Sequence, residues 1–158
     1  MGLFGAFNFC ACQANQLDVS VEVRDEEGRW VDVPLPPGLR SIVLLNTPTY
    51  AGGRRLWGKD SKKPRKPRKW ECVSQRQSLD DGLFEIIGVY STFHLGRIMI
   101  ELDRGVRIAQ VNEARLTFRT SVHAQADGEP YRDAPGTYHI RPLKPQTMMT
   151  RPDKMVKT

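Results

Sequence analysis

Short stretches of alternating apolar and polar residues, separated by proline and glycine, set the strongest limit on how this chain can fold. At positions 19–23, valines alternate with serine and glutamate, which is the period of a strand with one buried face. Residues 17–33 therefore predict a hairpin, which ends at Pro34 because proline cannot continue a strand ladder. With 13 glycines and 11 prolines in 158 residues, the pattern predicts one mainly β domain of ordinary size.

Two further stretches predict a buried strand and a helix. Residues 41–45 (SIVLL) form a continuous apolar run, which suits a strand covered on both faces. Residues 83–90 predict another strand. Between residues 95 and 102, apolar side chains recur at i, i+3, i+4 and i+7, so this stretch predicts a short α-helix.

The second half of the chain returns to the strand period. Residues 113–126 alternate, with Leu116 and Phe118 predicted to point inward. Residues 136–142 are expected to form the last strand, pairing back across a turn at 127–130. The sequence therefore predicts an antiparallel β-sandwich-like fold with one short α-helix, although periodicity alone does not separate a sandwich from a barrel.

The positive charge is concentrated in one segment. Residues 54–69 contain nine lysines or arginines and one acid, a net charge of +8, so the remainder carries −2 of the total of +6. The cations expected to attract anionic surfaces are Arg54, Arg55, Lys62, Lys63, Arg65, Lys66, Arg68 and Lys69. Such a run is also typical of a solvated loop. No aromatic residue is interleaved for base stacking before Trp70, which disfavours single-stranded nucleic acid.

The cysteines and the N-terminus indicate the compartment. Three cysteines without metal-ligand spacing favour reduced thiols over a disulfide framework or a zinc site. No apolar run approaches the ~20 residues of a membrane span, and the first residues lack the order of a signal peptide. We therefore expect a cytoplasmic protein, which the basic segment would allow to associate peripherally with membranes.

Two polar motifs could be ligand-binding sites, but their residues are also typical of ordinary turns. Asp80 and Asp81 precede Gly82, and paired carboxylates suit Mg²⁺ or Ca²⁺, yet Asp-Gly is a common turn pair. The stretch 46–53 ends in two glycines but lacks the spacing of a phosphate-binding loop.

The third motif is "ADGEP" at 126–130. Asp127 and Glu129 flank Gly128, and residues i and i+2 share one face of a strand. The two carboxylates could therefore converge, and a carboxylate can accept the proton of an attacking hydroxyl in phosphoryl transfer. Spacing alone leaves a turn and a catalytic site as alternatives.

Four sequence motifs occur in a fixed order along the chain, and together they identify a family more specifically than any one of them alone. They are "SIVLLNTPTYAGGRRLWG" (41–58), "QSLDDGLFEIIGV" (77–89), "FHLGRIMIELDRGVRIAQ" (93–110) and "ADGEPY" (126–131). Over roughly residues 15–142 this set resembles the accessory domain of eukaryotic diacylglycerol kinases. The Asn-x-Pro-x-Tyr-x-Gly-Gly…Leu-Trp-Gly and Asp-Gly-Glu-Pro patterns carry most of the resemblance.

The resemblance implies a function. Members of that family transfer the γ-phosphoryl group of ATP to diacylglycerol with Mg²⁺, which gives phosphatidic acid. Their kinase core has two lobes, an α/β lobe with a Gly-Gly-Asp-Gly nucleotide motif and a mainly β-sandwich accessory lobe, with the active site between them. By resemblance, Asp127 and Glu129 are catalytic, and Asp80 and Asp81 belong to a metal-associated structural site. The residues expected to line the interlobe cleft are Asn46, Pro48, Gly52 and Gly53.

The sequence also departs from the family pattern, because it has no Gly-Gly-Asp-Gly motif and no Cys/His clusters of C1 zinc fingers. We expect residues 1–14 to be a remnant of the upstream part of the lobe and residues 15–143 to be the accessory domain. Within it, residues 54–70 are a basic loop insertion, and residues 144–158 are a flexible tail. The chain is expected to be a truncated product or half of a split enzyme, inactive without a separate N-terminal kinase lobe.

A non-catalytic alternative remains. The segment 54–69 could make the chain a module that binds anionic membrane surfaces, since each exposed cation near such a surface contributes about 1 kcal/mol. Nucleic acid binding through the same segment ranks last, because no recognition helix or stacking platform accompanies it.

Overall fold

The computed structural model describes residues 8–12, 15–25, 27–50, 53–58, 77–78 and 81–141. This part of the chain holds ten strands and one helix. The strands are β1 (Asn8–Cys12), β2 (Val19–Arg24), β3 (Trp30–Asp32), β4 (Ser41–Leu45), β5 (Phe84–Val89), β6 (Val106–Val111), β7 (Ala114–Phe118), β8 (Val122–Ala126), β9 (Glu129–Asp133) and β10 (Gly136–Ile140), and the helix α1 is Thr92–Met99.

The strands form two sheets. The larger sheet has six strands in the order β6-β5-β4-β1-β8-β9, and the smaller has four in the order β10-β7-β2-β3. Every strand pair is antiparallel. The predicted fold class, mainly antiparallel β with a single short helix, is confirmed, and so is the hairpin formed by β2 and β3.

The main core lies between the two sheets. Val21 and Leu116 of the smaller sheet, and Ile42, Ile86 and Ile108 of the larger one, are all at most 1% exposed and belong to one apolar cluster. Burying such a side chain contributes about 1.5–3 kcal/mol relative to leaving it in water. The alternation seen in the sequence thus places one face of each sheet in a shared interior.

A second apolar layer covers the opposite face of the six-stranded sheet. Val43 and Ile87 of that face pack with Leu56, Trp57 and Ile98, which come from the segment after β4 and from α1. Strand β4 is therefore buried on both sides, as its continuous apolar run predicted.

Helix α1 begins and ends with identifiable caps. The hydroxyl of Ser91 accepts a hydrogen bond from the backbone N–H of His94 at 3.1 Å. At the other end Glu101 has a φ of 61°, while the N–H groups of Glu101 and Leu102 bond to the carbonyls of Ile98 and Arg97. This is a Schellman termination. Leu102, predicted to lie on the buried helical face, instead follows the helix and is exposed.

Two sequence-based strand assignments are wrong. Residues 113–126 are not one strand, because the chain crosses from the four-stranded to the six-stranded sheet between β7 and β8. The strand that pairs back across the 127–130 turn is β9, whereas residues 136–140 pair with β7. Alternation marks buried faces in both sheets alike, so it could not show that the chain changes sheet.

Several predictions on domain limits are not tested. Strand β1 lies in the middle of the larger sheet, between β4 and β8, so residues 8–12 are integral to it. Most of the basic segment, from residue 59 onward, lies outside the described residues, as does the predicted tail at 144–158.

Candidate functional site

One end of the six-stranded sheet collects the polar motifs. The strand register pairs Leu45 with Glu85 and Phe9 with both Leu44 and Ala126. The segments 46–48, 81–83 and 127–129 therefore leave or enter the sheet at the same edge, which we call the motif edge. Since β8 and β5 are three strand positions apart, the outer two segments are separated by about 14 Å across the sheet.

The turn at the motif edge joins β8 to β9. Asp127 and Gly128 have φ values of 50° and 89°, the positive values that a two-residue type I′ hairpin needs at both positions. Ala126 pairs with Glu129 on either side of it. Both carboxylates are exposed. Asp127 is a turn residue, so the strand alternation that predicted a shared face with Glu129 does not apply to it.

The loop after β4 is fastened to β8. Tyr50 and Arg54 exchange backbone hydrogen bonds of 2.7 and 2.9 Å, and Gly53 beside them has a φ of 92°. The amide Nε2 of Gln125 donates to the Tyr50 hydroxyl at 3.0 Å. Burial and the nearby Cys10 thiol raise the pKa of Tyr50, so it stays a neutral hydrogen-bonding group.

The same loop is anchored at its far end by Leu56 and Trp57, which are at most 1% exposed. The carbonyl of Leu56 accepts from the N–H of Gly105 at 2.8 Å. Arg107 donates from Nε to the Trp57 carbonyl at 2.8 Å, and its guanidinium lies 4.8 Å from the Trp57 ring centroid. We call residues 46–50 and 53–58 the strap, because they cross the sheet from β8 to the start of β6.

Asp81 forms a local turn. Its Oδ1 accepts from the backbone N–H of Leu83 at 2.9 Å, and Gly82 between them has a φ of 72°. Asp80 lies outside the described residues. Within the described ranges, no group of three or more His, Cys, Asp or Glu side chains is placed to hold a metal ion. The predicted metal role of Asp80 and Asp81 therefore stays a prediction.

Glu85 is a buried acid that the sequence reasoning missed. It is 2% exposed, and its two oxygens accept from Gln77 Nε2 at 2.8 Å and Gln110 Nε2 at 2.9 Å. Burial raises the pKa of Glu85 to about 7, against the opposing effect of these amide donors. Gln77 Nε2 also lies 3.5 Å from the Thr47 carbonyl. The sequence feature that could have identified it is the single acidic residue within the apolar run "LFEIIGV".

A cleft lies on the helix side of the strap. It encloses about 460 Å³ and is lined by Gly53, Arg55, Gly58, Ile98, Glu101, Leu102, Asp103 and Arg104. Of the predicted cleft residues that the structure describes, Gly53 lines this cleft, whereas Asn46 and Pro48 lie at the motif edge. Gly52 lies outside the described residues. Arg54 makes an ion pair of 3.4 Å with Glu101. The predicted surface-binding residues from Lys62 to Lys69 are outside the described part of the chain.

Comparison with known families identifies this arrangement. The family described as "Diacylglycerol kinase accessory domain" matches residues 2–130.

The chain belongs to the diacylglycerol kinase accessory domain family.

Curated relatives agree with this assignment. The chain is 35% identical over 118 residues to diacylglycerol kinase theta of Rattus norvegicus, a match that covers 75% of this chain and 12% of the relative. It is 35% identical to diacylglycerol kinase theta of Homo sapiens over the same shares. It is 32% identical over 133 residues to diacylglycerol kinase 5 of Arabidopsis thaliana, covering 82% of this chain and 24% of the relative. The chain thus spans about an eighth to a quarter of these relatives.

The four sequence blocks of the accessory domain now have structural positions. The first forms β4 and the strap, the second the turn at Asp81 and Gly82 and the whole of β5, the third α1 and β6, and the fourth the β8–β9 turn. Three of them meet at the motif edge. In the described part of this accessory domain, no helix is long and apolar enough to cross a membrane.

Proposed function

We propose that this accessory domain is the second lobe of an ATP-dependent diacylglycerol kinase, which converts diacylglycerol to phosphatidic acid in lipid signalling. The family match over residues 2–130 carries the proposal, and the named relatives are diacylglycerol kinases. The motif edge supports it, because exposed acids on a two-residue turn are accessible to a facing lobe.

The proposed chemistry assigns Asp127 and Glu129 to the lipid hydroxyl. A carboxylate within hydrogen-bond reach of that hydroxyl accepts its proton as the oxygen attacks the γ-phosphorus, which is general-base catalysis. The tight turn fixes the backbone positions from which both side chains extend. The Gln125–Tyr50 hydrogen bond holds the strap beside β8, the strand that leads into the turn. The family resemblance assigns Asn46, Pro48, Gly52 and Gly53 to the accessory-lobe wall of the proposed cleft.

ATP and Mg²⁺ are the cofactors implied by the family. Within the described residues, no group of three or more His, Cys, Asp or Glu side chains is placed to hold a metal ion, so they do not form an all-protein Mg²⁺ site; kinase sites usually hold this ion with one or two carboxylates, water and substrate phosphates. We therefore assign no step of the reaction to a metal held by these residues. The proposed partner is an N-terminal kinase lobe that carries the nucleotide site, whether separate or part of a longer chain.

The direct test is phosphoryl transfer from [γ-³²P]ATP to diacylglycerol micelles with Mg²⁺. We expect no phosphatidic acid from the 158 residues alone. We expect activity when residues 1–141 replace the matching region of diacylglycerol kinase theta. In that chimera, Glu129→Gln should lower kcat by about 10² or more, whereas Glu22→Gln, on the other sheet, should not. Activity of the isolated chain that disappears in Glu129→Gln would refute the need for a second lobe.

Membrane-surface binding through residues 54–69 is the second candidate. Arg55 is exposed and has no ion-pair partner among the described residues, which leaves its charge available to an anionic headgroup. This role is compatible with a cytoplasmic kinase that visits membranes to reach its lipid substrate. Sedimentation with vesicles should then fall steeply as salt is raised, because exposed charges are screened.

A further inference from the structure

The outer face of α1 and the residues just after its C-terminus carry large apolar side chains that are mostly exposed. Phe93 is 77% exposed, Ile100 is 65% exposed and Leu102 is 69% exposed. Single exposed hydrophobic residues are ordinary on protein surfaces. Here three of the five exposed large hydrophobic residues of the described ranges fall within ten positions. Such clustering marks an interaction surface.

Phe93 and Ile100 share one side of the helix, and Leu102 follows at its C-terminal end. Phe93, Arg97 and Ile100 are spaced i, i+4, i+7, so they lie along one stripe about 10 Å long. Ile98 lies on the opposite side, buried against the sheet. The helix is thus already fixed by its inner face, and its apolar outer face does not serve the core.

The helix end keeps Leu102 in this position. In a Schellman termination the residue in the place of Leu102 commonly packs against the side chains one turn earlier. Those positions here are Gly96, which has no side chain, and Arg97, which is 48% exposed. Glu101, a residue with a side chain in the left-handed region at a φ of 61°, directs the chain into this turn. Leu102 therefore projects from the helix end without an apolar neighbour to bury it.

Two cations lie near the exposed apolar side chains, and one of them, Arg104, lines pockets with both Phe93 and Leu102. Arg55 and Arg104 line the cleft next to Leu102, and neither has an ion-pair partner among the described residues. The acids nearby are already paired, Glu101 with Arg54 at 3.4 Å and Asp103 with Arg97 at 3.4 Å. The basic run of residues 59–69 follows directly after Gly58, which packs against Arg104. Among the described residues near Leu102, the charge without an ion-pair partner is therefore positive.

We propose that Phe93, Ile100 and Leu102 form a docking patch that inserts into the interface of an anionic lipid bilayer. The apolar side chains enter the boundary between headgroups and acyl chains, and Arg55 and Arg104 lie at the level of the phosphates. An apolar face with a cationic rim is the combination that binds such interfaces. A facing protein lobe would need acidic groups to match the same rim.

This inference deepens the proposed function, since a diacylglycerol kinase must reach a substrate that lies in a bilayer. It rests on that function only for the identity of the substrate. Binding to vesicles is measured without ATP or diacylglycerol, so a failure of the docking patch and a failure of the kinase assignment give different results.

The first measurement is sedimentation of the full 158-residue chain with vesicles of phosphatidylcholine and phosphatidylserine. Phe93→Ser combined with Leu102→Ser should weaken binding by about tenfold or more, because two large apolar side chains no longer leave water. The matched control is Val31→Ser, since Val31 is 44% exposed on β3 of the other sheet. That control should bind like the wild type. Circular dichroism should show the same folded signal for all three proteins.

The second measurement reports insertion directly. In Phe93→Trp, the new indole should shift its emission to the blue on adding anionic vesicles and should be quenched by brominated acyl chains. Val31→Trp should show neither change. The spectrum of the wild type, with its own three tryptophans, is subtracted from both.

Three results would overturn the proposal. The first is equal vesicle binding by the wild type and the Phe93/Leu102 variant. The second is Phe93→Trp emission that is blue-shifted before vesicles are added, which would mean that another part of this chain covers the patch. The third is no vesicle binding by the wild type. If the Phe93/Leu102 variant of the chimera then also loses kinase activity on soluble short-chain substrate, the patch is a contact between lobes.

Discussion

The side-chain amide of Gln125 donates a hydrogen bond of 3.0 Å to the hydroxyl of Tyr50. This contact joins two sequence motifs that are 75 residues apart, the loop "NTPTYAGG" and the strand that ends in "ADGE". It links the strap to β8 next to the turn that carries the proposed catalytic acids. Neither residue was a candidate from the sequence, although both lie within or beside the motifs that were.

Removing that hydrogen bond should loosen the strap at a modest cost in stability. Tyr50→Phe deletes the acceptor and should lower the free energy of unfolding by about 1 kcal/mol. In a double-mutant cycle with Gln125→Ala, urea unfolding should give a coupling energy of about 0.5–1 kcal/mol. Tyr90→Phe is the control, because its hydroxyl makes no hydrogen bond among the described residues. Additive effects of Tyr50→Phe and Gln125→Ala would contradict the proposed link.

Gly105 should resist substitution, whereas Gly96 should accept it. A Cβ at Gly105 would lie 2.3 Å from Ile87 Cγ2 and 2.9 Å from the Leu56 carbonyl oxygen, so either the sheet or the strap must move. Gly105→Ala should destabilise by about 1–3 kcal/mol. Gly96 is in α1 with nothing within 4 Å of its Cβ position, and Gly96→Ala should stabilise by about 0.5–1 kcal/mol. Chemical denaturation of both variants tests the packing of the strap, and equal effects would refute it.

The sequence predicts those features that depend on the spacing of apolar residues along the chain. The apolar run 41–45 indicated a strand covered on both faces, and β4 has that environment. The spacing of Leu95 and Ile98 indicated a helix, and α1 packs Ile98 inward. A turn at Asp127-Gly128 was predicted from its residues, and Asp-Gly tolerates the positive φ values of the type I′ turn that forms.

Other features depend on contacts that are remote in sequence. Between β7 and β8 the chain passes from the four-stranded to the six-stranded sheet. Apolar and polar residues alternate in the same way in strands of both sheets, so the pattern does not show this change. The buried acid Glu85 is stabilised by Gln110, 25 residues away, and by Gln77, partners that no local pattern identifies. The catalytic and metal assignments came from family resemblance, and they remain predictions.

Mutation should separate the contribution of Asp127 to the turn conformation from the contribution of its charge. Asp127 has a φ of 50°, a conformation that Asn adopts readily and Ala adopts at a cost of roughly 1–2 kcal/mol. Asp127→Asn should therefore lower the thermal stability of the chain less than Asp127→Ala does. If the carboxylate takes part in phosphoryl transfer, both variants should lower kcat of the chimera. Full activity in Asp127→Asn would leave Glu129 as the remaining candidate base.

The buried carboxyl of Glu85 should make stability depend on pH near neutrality. Its pKa is raised by burial to about 7 in the folded chain, from an ordinary value of 4.5. Between these two values the folded state binds the proton more tightly than the unfolded state does. The free energy of unfolding should therefore fall as pH rises from about 4.5 to about 7, by up to about 3 kcal/mol. Asp81 contributes to the raised pKa through charge repulsion.

Glu85→Gln isolates this effect from other titrating groups. Burial lowers the pKa of His94, so protonation of that histidine lowers stability as pH falls below 6.5, a slope of the opposite sign. The His94 contribution is common to the wild type and to Glu85→Gln, and it cancels in the difference between their unfolding free energies. That difference should change progressively between pH 4.5 and 7, in favour of the variant at high pH, whereas the difference for Glu22→Gln should show no comparable trend. A constant difference for Glu85→Gln across this range would mean that Glu85 is already ionised in the folded chain, held by the Gln77 and Gln110 amides alone.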